Sequence, residues 1–333
     1  MHKSIFISSL HLTIVGLLGF TLISQLHAHA YEHDHDWIKP TTEKIGDGHG
    51  EIAVAANGEV YLSVGTGEKA GIQVYAADGK YLRNVANAPD DFHGFVIVKE
   101  AEEEFIYGAR LKKGEILKMT LAGEVVLKIP TYGTPVEKFF RKHRKTGKSL
   151  GARLTSVDAL PNGDIFVVDG YGNDHIFRFN QKGEYLGEFG GRMKAPLKLM
   201  NCHKIFIDHR YGKPRLLLCD RLNNRLVHTT LEGELIKVYA TKLRKPSSAA
   251  FYKDLVAIAE IDGRISVFNK QGEMVAEVGT NNTKDIGKNT FGPETWINGV
   301  VKAPHGIAFD AMGDILMTEY NQWGRVMKFQ LKK

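Results

Sequence analysis

"TSVDALPNGDIFVVDGYGNDHIFRFNQKGEYLGEFG", residues 155–190, alternates apolar and polar side chains over short runs broken by Asn-Gly, Asp-Gly and Gly-Glu. Period-two alternation puts every second side chain on one face, and tight glycine turns join antiparallel neighbours. The stretch reads as strand, turn, strand, loop, strand, turn, strand. A lone four-stranded meander leaves both faces and both edges uncovered, so it needs neighbours of its own kind.

The sequence supplies them. "GEIAVAANGEVYLSVG" from Gly50, followed by "GIQVYAADGKYLRNV", repeats the template, as does "SAAFYKDLVAIAEIDGRISVFNKQGEMVAEVG" from Ser248. Residues 203–239 and 305–331 follow it too, and residues 93–129 more loosely. Six units fit residues 50–331, with longer insertions around 131–153 and 280–301. Repeated four-stranded units predict an all-β fold, a six-bladed β-propeller. The last unit, ending in "GRVMKFQL", has only three strands. Its fourth is expected from "DWIKPTTEKIG" (Asp36–Gly46), which would close the ring and remove the open edge.

Residues 1–30 stand apart. Lys3, the apolar run "LTIVGLLGFTLIS" and the small residues Ala28 and Ala30 make a secretory signal with a cleavage site. The propeller then occupies 31–333, with a secreted or periplasmic location and no stable membrane insertion after signal removal. A monomer is expected. The tract from His27 to Asp36, "HAHAYEHDHD", is rich in histidine but reads as a solvated tail.

The net charge of +6 comes largely from "EKFFRKHRKTGK" (Glu137–Lys148). Without a basic face bearing stacking aromatics this does not make a nucleic-acid surface. It reads either as a solvated loop or as one that draws an anionic substrate towards a nearby site. Two cysteines, Cys202 and Cys219, are too few to build the fold. They can form one disulfide in an oxidising compartment or remain two buried thiols.

Aligning the units on their first hairpin turn puts Gly50, His93, Thr155, His203, roughly Pro246 and His305 at the start of successive first strands. The histidines fall on alternate blades. First strands line a propeller's channel, so three equivalent positions about 120° apart can converge at one end of it. Three imidazoles with open positions facing the mouth suit zinc or a similar divalent metal.

The template resembles the NHL-repeat propellers over essentially all of residues 31–333. Within that group the chain resembles the peptidyl-α-hydroxyglycine α-amidating lyases, which split a carbinolamide into an amide and glyoxylate. His93 in "DDFHGF", His203 in "MNCHKI" and His305 in "APHGIA" match that family's three zinc ligands. Tyr171 in "VDGYGN" matches its catalytic tyrosine, and Arg221 in "CDRLNNR" an active-site arginine. The resemblance implies a small anionic or peptide-like substrate. The substrate-binding arginine of blade 1 falls near Gly65, so Lys69 and Arg153 become the candidates for that role. The family's structural calcium needs an aspartate where this chain has Gly306, which counts against calcium, and the family's paired cysteines do not coincide with Cys202 and Cys219. A non-catalytic propeller that binds a protein or glycan is the alternative. A lactonase-like metal site of Glu, Asn and Asp ranks last, because those residues do not recur at the strand starts.

Overall fold

A computed structural model describes residues 30–38 and 50–332. The expected signal, residues 1–30, lies outside that range except for Ala30. Six antiparallel four-stranded sheets follow one another along the chain. Blades 1 to 5 span 52–84, 92–130, 156–190, 202–240 and 246–278. Blade 6 combines three strands over 304–331 with Tyr31–Asp34.

The first strands Ile52–Val54, Phe92–Glu100, Ser156–Ala159, Cys202–Asp208, Pro246–Tyr252 and Pro304–Phe309 each touch the next, and the sixth touches the first. They therefore form the inner ring. An apolar layer fills the space between every neighbouring pair of blades. Ile116, Val157 and Phe177 join blades 2 and 3, for example, and Ile52, Leu62, Leu316 and Val326 join blades 1 and 6. Full burial of such side chains contributes roughly 1.5–3 kcal/mol each.

The closing strand is Tyr31–Asp34, not a segment of Asp36–Gly46. Most of the expected segment, residues 39–46, lies outside the described residues. Tyr31 pairs with Leu331 and His33 with Phe329. The histidine tract is thus in part structural: the His33 ring lies 5.4 Å from that of Phe329, and Asn298 hydrogen-bonds both His33 and His35. Asn298 belongs to the 280–301 insertion, which therefore braces the ring closure. Trp37, buried between blades 6 and 1, donates its indole N–H to the Ala77 carbonyl.

Cys202 and Cys219 are free thiols. They sit on paired strands but pack into different apolar layers, so they occupy opposite faces of one sheet. Burial pushes both thiols up, away from the reactive thiolate. The charged run at 141–150 faces solvent throughout. No helix among the described residues is long and apolar enough to cross a membrane.

Candidate metal centre

His93, His203 and His305 are each the second residue of their blade's first strand. At each one the pairing slips, from Phe92 to Gly94, Cys202 to Lys204 and Pro304 to Gly306. A bulge leaves the extra residue out of the ladder and re-aims its side chain. All three imidazoles are buried, with ring centroids 4.9, 5.2 and 4.9 Å apart. One ring nitrogen from each lies within 4.8 Å of the other two. Among the described residues this is the one group of three or more His, Cys, Asp or Glu close enough to share an ion.

The intervening blades fix the rings. Nδ1 of His93 lies 2.8 Å from the Thr155 carbonyl, that of His203 2.7 Å from Ser247, and that of His305 3.1 Å from Gly50. A carbonyl only accepts, so each Nδ1 carries a hydrogen, which in a neutral imidazole leaves the lone pair on Nε2. Gly50 and Thr155 are the strand starts found by alignment. In blade 5 the bulge residue is Ser247, one position beyond Pro246. Burial, then Arg221 and the two other imidazoles, hold His203 far below the ordinary histidine range, so it stays neutral.

Tyr171 stands over this group, its hydroxyl 3.1 Å from Nε2 of His93 and 3.1 Å from Nε2 of His203. The "DGYGN" turn puts it there. Asp169, buried and with its carboxyl raised to about 7 by desolvation, accepts from the backbone N–H groups of Arg153 and Asn173. Gly170 and Gly172 are required by close approach: a Cβ would stand 2.1 Å from the Cys202 carbonyl oxygen in one case and 2.0 Å from the Asp169 carboxylate in the other. The Arg221 guanidinium lies 5.5 Å from the centre of the Tyr171 ring. Five of the residues singled out in the sequence thus meet at one end of the channel.

Two cavities flank them. One of about 530 Å³, between blades 1 and 2 and the 131–153 insertion, is lined by Gly65, Phe92, His93, Tyr132, Leu150 and Arg153. The ends of the basic insertion thus wall the site while its charged middle stays in solvent. The other, about 280 Å³, contains Tyr171, Arg221, Lys245, His305 and Tyr320. Lys69 is not brought to either: its ammonium lies 3.9 Å from the centre of the Tyr81 ring, on the outer strand of blade 1.

Two features escape the sequence alignment. Asp169, Asp220, Glu260 and Glu319, at or just past the end of the second strand in blades 3 to 6, each accept from a backbone N–H just before the first strand, at Arg153, Met200, Arg244 and Lys302. Their signal is a recurrent acid in "VVDG", "LCDR", "AEID" and "MTEY". The second is a buried pair, Lys204 and Glu51, with Nζ 2.7 Å from Oε2.

No known protein-family pattern matches the chain. Similar solved structures establish the six-bladed propeller. A streptogramin B lyase superposes with a TM-score of 0.56 at 16% identity over 89% of this chain and 98% of that one. A catalytically inactive histidine-to-alanine variant of virginiamycin B lyase from Staphylococcus aureus, with quinupristin, gives 0.52 at 15% over 91% and 100%. A Bacteroides thetaiotaomicron protein of unknown function gives 0.55 at 14% over 90% and 73%. At these identities the likeness is one of fold.

Proposed function

We propose that the protein is a secreted, zinc-dependent lyase that cleaves the C–N bond of a carbinolamide at the channel mouth, as its resemblance to the NHL-repeat amidating lyases implies. The observation that carries this reading is the convergence of three buried imidazoles whose Nδ1 atoms donate to carbonyls and which each bring a ring nitrogen within 4.8 Å of the other two. Three neutral nitrogen donors with an open face fit a catalytic zinc, which when bound supplies Lewis acidity towards a substrate hydroxyl.

The chain's own groups perform the proton transfers. Acting as the base, Tyr171, whose hydroxyl lies 3.1 Å from Nε2 of both His93 and His203, takes the substrate's hydroxyl proton. The oxygen's electron pair forms the carbonyl, the C–N bond breaks, and its electrons go to nitrogen. Tyr171 returns the proton there, leaving an amide and an aldehyde. Arg153 in the larger cavity and Arg221 in the smaller are positioned to hold an anionic group. The names of the lyase neighbours agree with elimination chemistry on this architecture, and fold alone carries no more than that.

The test is the zinc content of the purified protein together with glyoxylate release from a hydroxyglycine-capped peptide. Stoichiometric zinc and turnover are expected, both lost on changing His93, His203 and His305 to Ala. Native protein without divalent metal, or with unchanged metal in that variant, returns the propeller to a non-catalytic binding module.

A further inference from the structure

The residue after each histidine lies on the same inner-ring strand: Gly94 in blade 2, Lys204 in blade 4, Gly306 in blade 6. Two glycines leave room that one lysine and one glutamate fill. A Cβ on Gly94 would stand 2.5 Å from Lys204 Nζ, and a Cβ on Gly306 would stand 2.5 Å from Glu51 Oε1. Lys204 donates to Glu51 Oε2 at 2.7 Å and to the carbonyl of His93 at 2.8 Å. Glu51 also accepts from the Ser248 hydroxyl at 3.3 Å. The side chains are 0% and 3% exposed, so the pair ties blades 1, 2, 4 and 5 together in the buried interior beside the imidazoles. Its ends meet the centre twice: at the His93 carbonyl, and at Gly50, the neighbour of Glu51, whose carbonyl holds His305 Nδ1.

The structural calcium implied by the resemblance does not fit these residues. Calcium takes six to eight oxygen ligands. Position 306 offers no side chain, the carboxylate at that spot arrives from Glu51, and what it binds is a nitrogen. We infer that Lys204 is a built-in cation: its ammonium, held by Glu51 and the His93 carbonyl, stands in for the structural calcium that the resemblance implies and positions the histidine centre. The protein therefore depends on one metal ion, not two. Lys204 reaches His93 through its backbone carbonyl and is a positioning residue. Removing it leaves Glu51 buried without its cation, the costly half of a broken pair.

The inference rests on the histidine centre for one of its readouts, zinc affinity, and not for the other, thermal stability. In the wild-type protein a calcium-selective chelator and added calcium are both expected to leave the melting temperature and zinc affinity unchanged. Lys204→Ala is expected to melt lower and to bind zinc about 10- to 100-fold more weakly, the range for lost partners of metal ligands. Added calcium should restore part of both in Lys204→Ala, and none in Lys204→Ala/Glu51→Gln. Should Lys204→Ala not fold, Glu51→Gln is read for the same fall in melting temperature and zinc affinity. A wild type that needs calcium, or a folded Lys204→Ala protein that matches wild type and ignores calcium, overturns the inference. If wild type binds no zinc, the enzymatic reading fails, while the calcium response of the melting temperatures still decides this one.

Discussion

Replacing Gly94 by Ala adds one methyl group at a crowded point beside the histidines. Gly94 has no positive φ, so the cost is contact alone. The new Cβ would meet the Thr155 carbonyl oxygen at 2.6 Å, the Ser156 Cα at 3.0 Å and Lys204 Nζ at 2.5 Å. Two of these are backbone atoms of blade 3, so blades 2 and 3 must part. Overpacking of this kind costs about 1–3 kcal/mol. Thr155 is also the acceptor for His93 Nδ1, and weakening that bond adds about 0.5–1.5 kcal/mol. The total, about 1.5–4.5 kcal/mol, corresponds to a fall of about 3–8 °C in a domain of this size. Zinc affinity should fall about tenfold or more, because His93 loses its orientation. Calorimetry and a zinc competition titration read both quantities. Gly212→Ala is the control, since a Cβ there meets nothing within 4 Å and its φ is not positive. A Gly94→Ala protein that melts with wild type and holds zinc equally well would refute the claim that the blade contact fixes the ligand.

Tyr171→Phe keeps the ring edge-on to His93 at 4.9 Å but removes the hydroxyl, so carbinolamide turnover should drop by about 10²–10⁴ with zinc content unchanged. His203 is depressed in the folded state, so the fold binds fewer protons there than the unfolded chain below about pH 6.5, and its contribution is present above that pH and lost on acidification. The melting-temperature gap between zinc-free wild type and zinc-free His203→Gln should therefore narrow as pH falls through that value. A chain beginning at Trp37 lacks the strand paired with Val326–Leu331 and should melt below one beginning at Ala30 and associate through the bared edge, as light scattering would show.

Turn chemistry and period-two alternation made the six blades legible, because each blade repeats one local solution to the same packing problem. The histidines were legible because a bulge at a fixed point of that repeat aims one side chain at the axis. The closing strand was misplaced because "YEHD" has a single apolar residue, and its inward side chains, Tyr31 and His33, are covered by Phe329, Asn298 and the blade 5–6 layer. Lys69 looked close to the site by sequence, yet the outward course of its loop sets it on Tyr81. The imidazole acceptors had no residue-type signature, since backbone carbonyls are common to every residue; two of them, Gly50 and Thr155, were marked only as strand starts. Lys204 and Glu51 lie 153 positions apart and meet only when the ring closes.

A six-fold ring with three ligands gives each imidazole support from two blades. The even blades supply the ring, and the odd blades supply the carbonyl that sets its tautomer. A histidine on every blade would put a second imidazole where the acceptor residue stands and crowd six rings around the channel. Alternation is therefore what allows buried, oriented nitrogens to share one point. It also makes the centre sensitive to the seams between blades 2 and 3, 4 and 5, and 6 and 1. At those seams a shift of one blade moves an acceptor away from its ligand, whereas a shift at the other three separates no ring from its carbonyl.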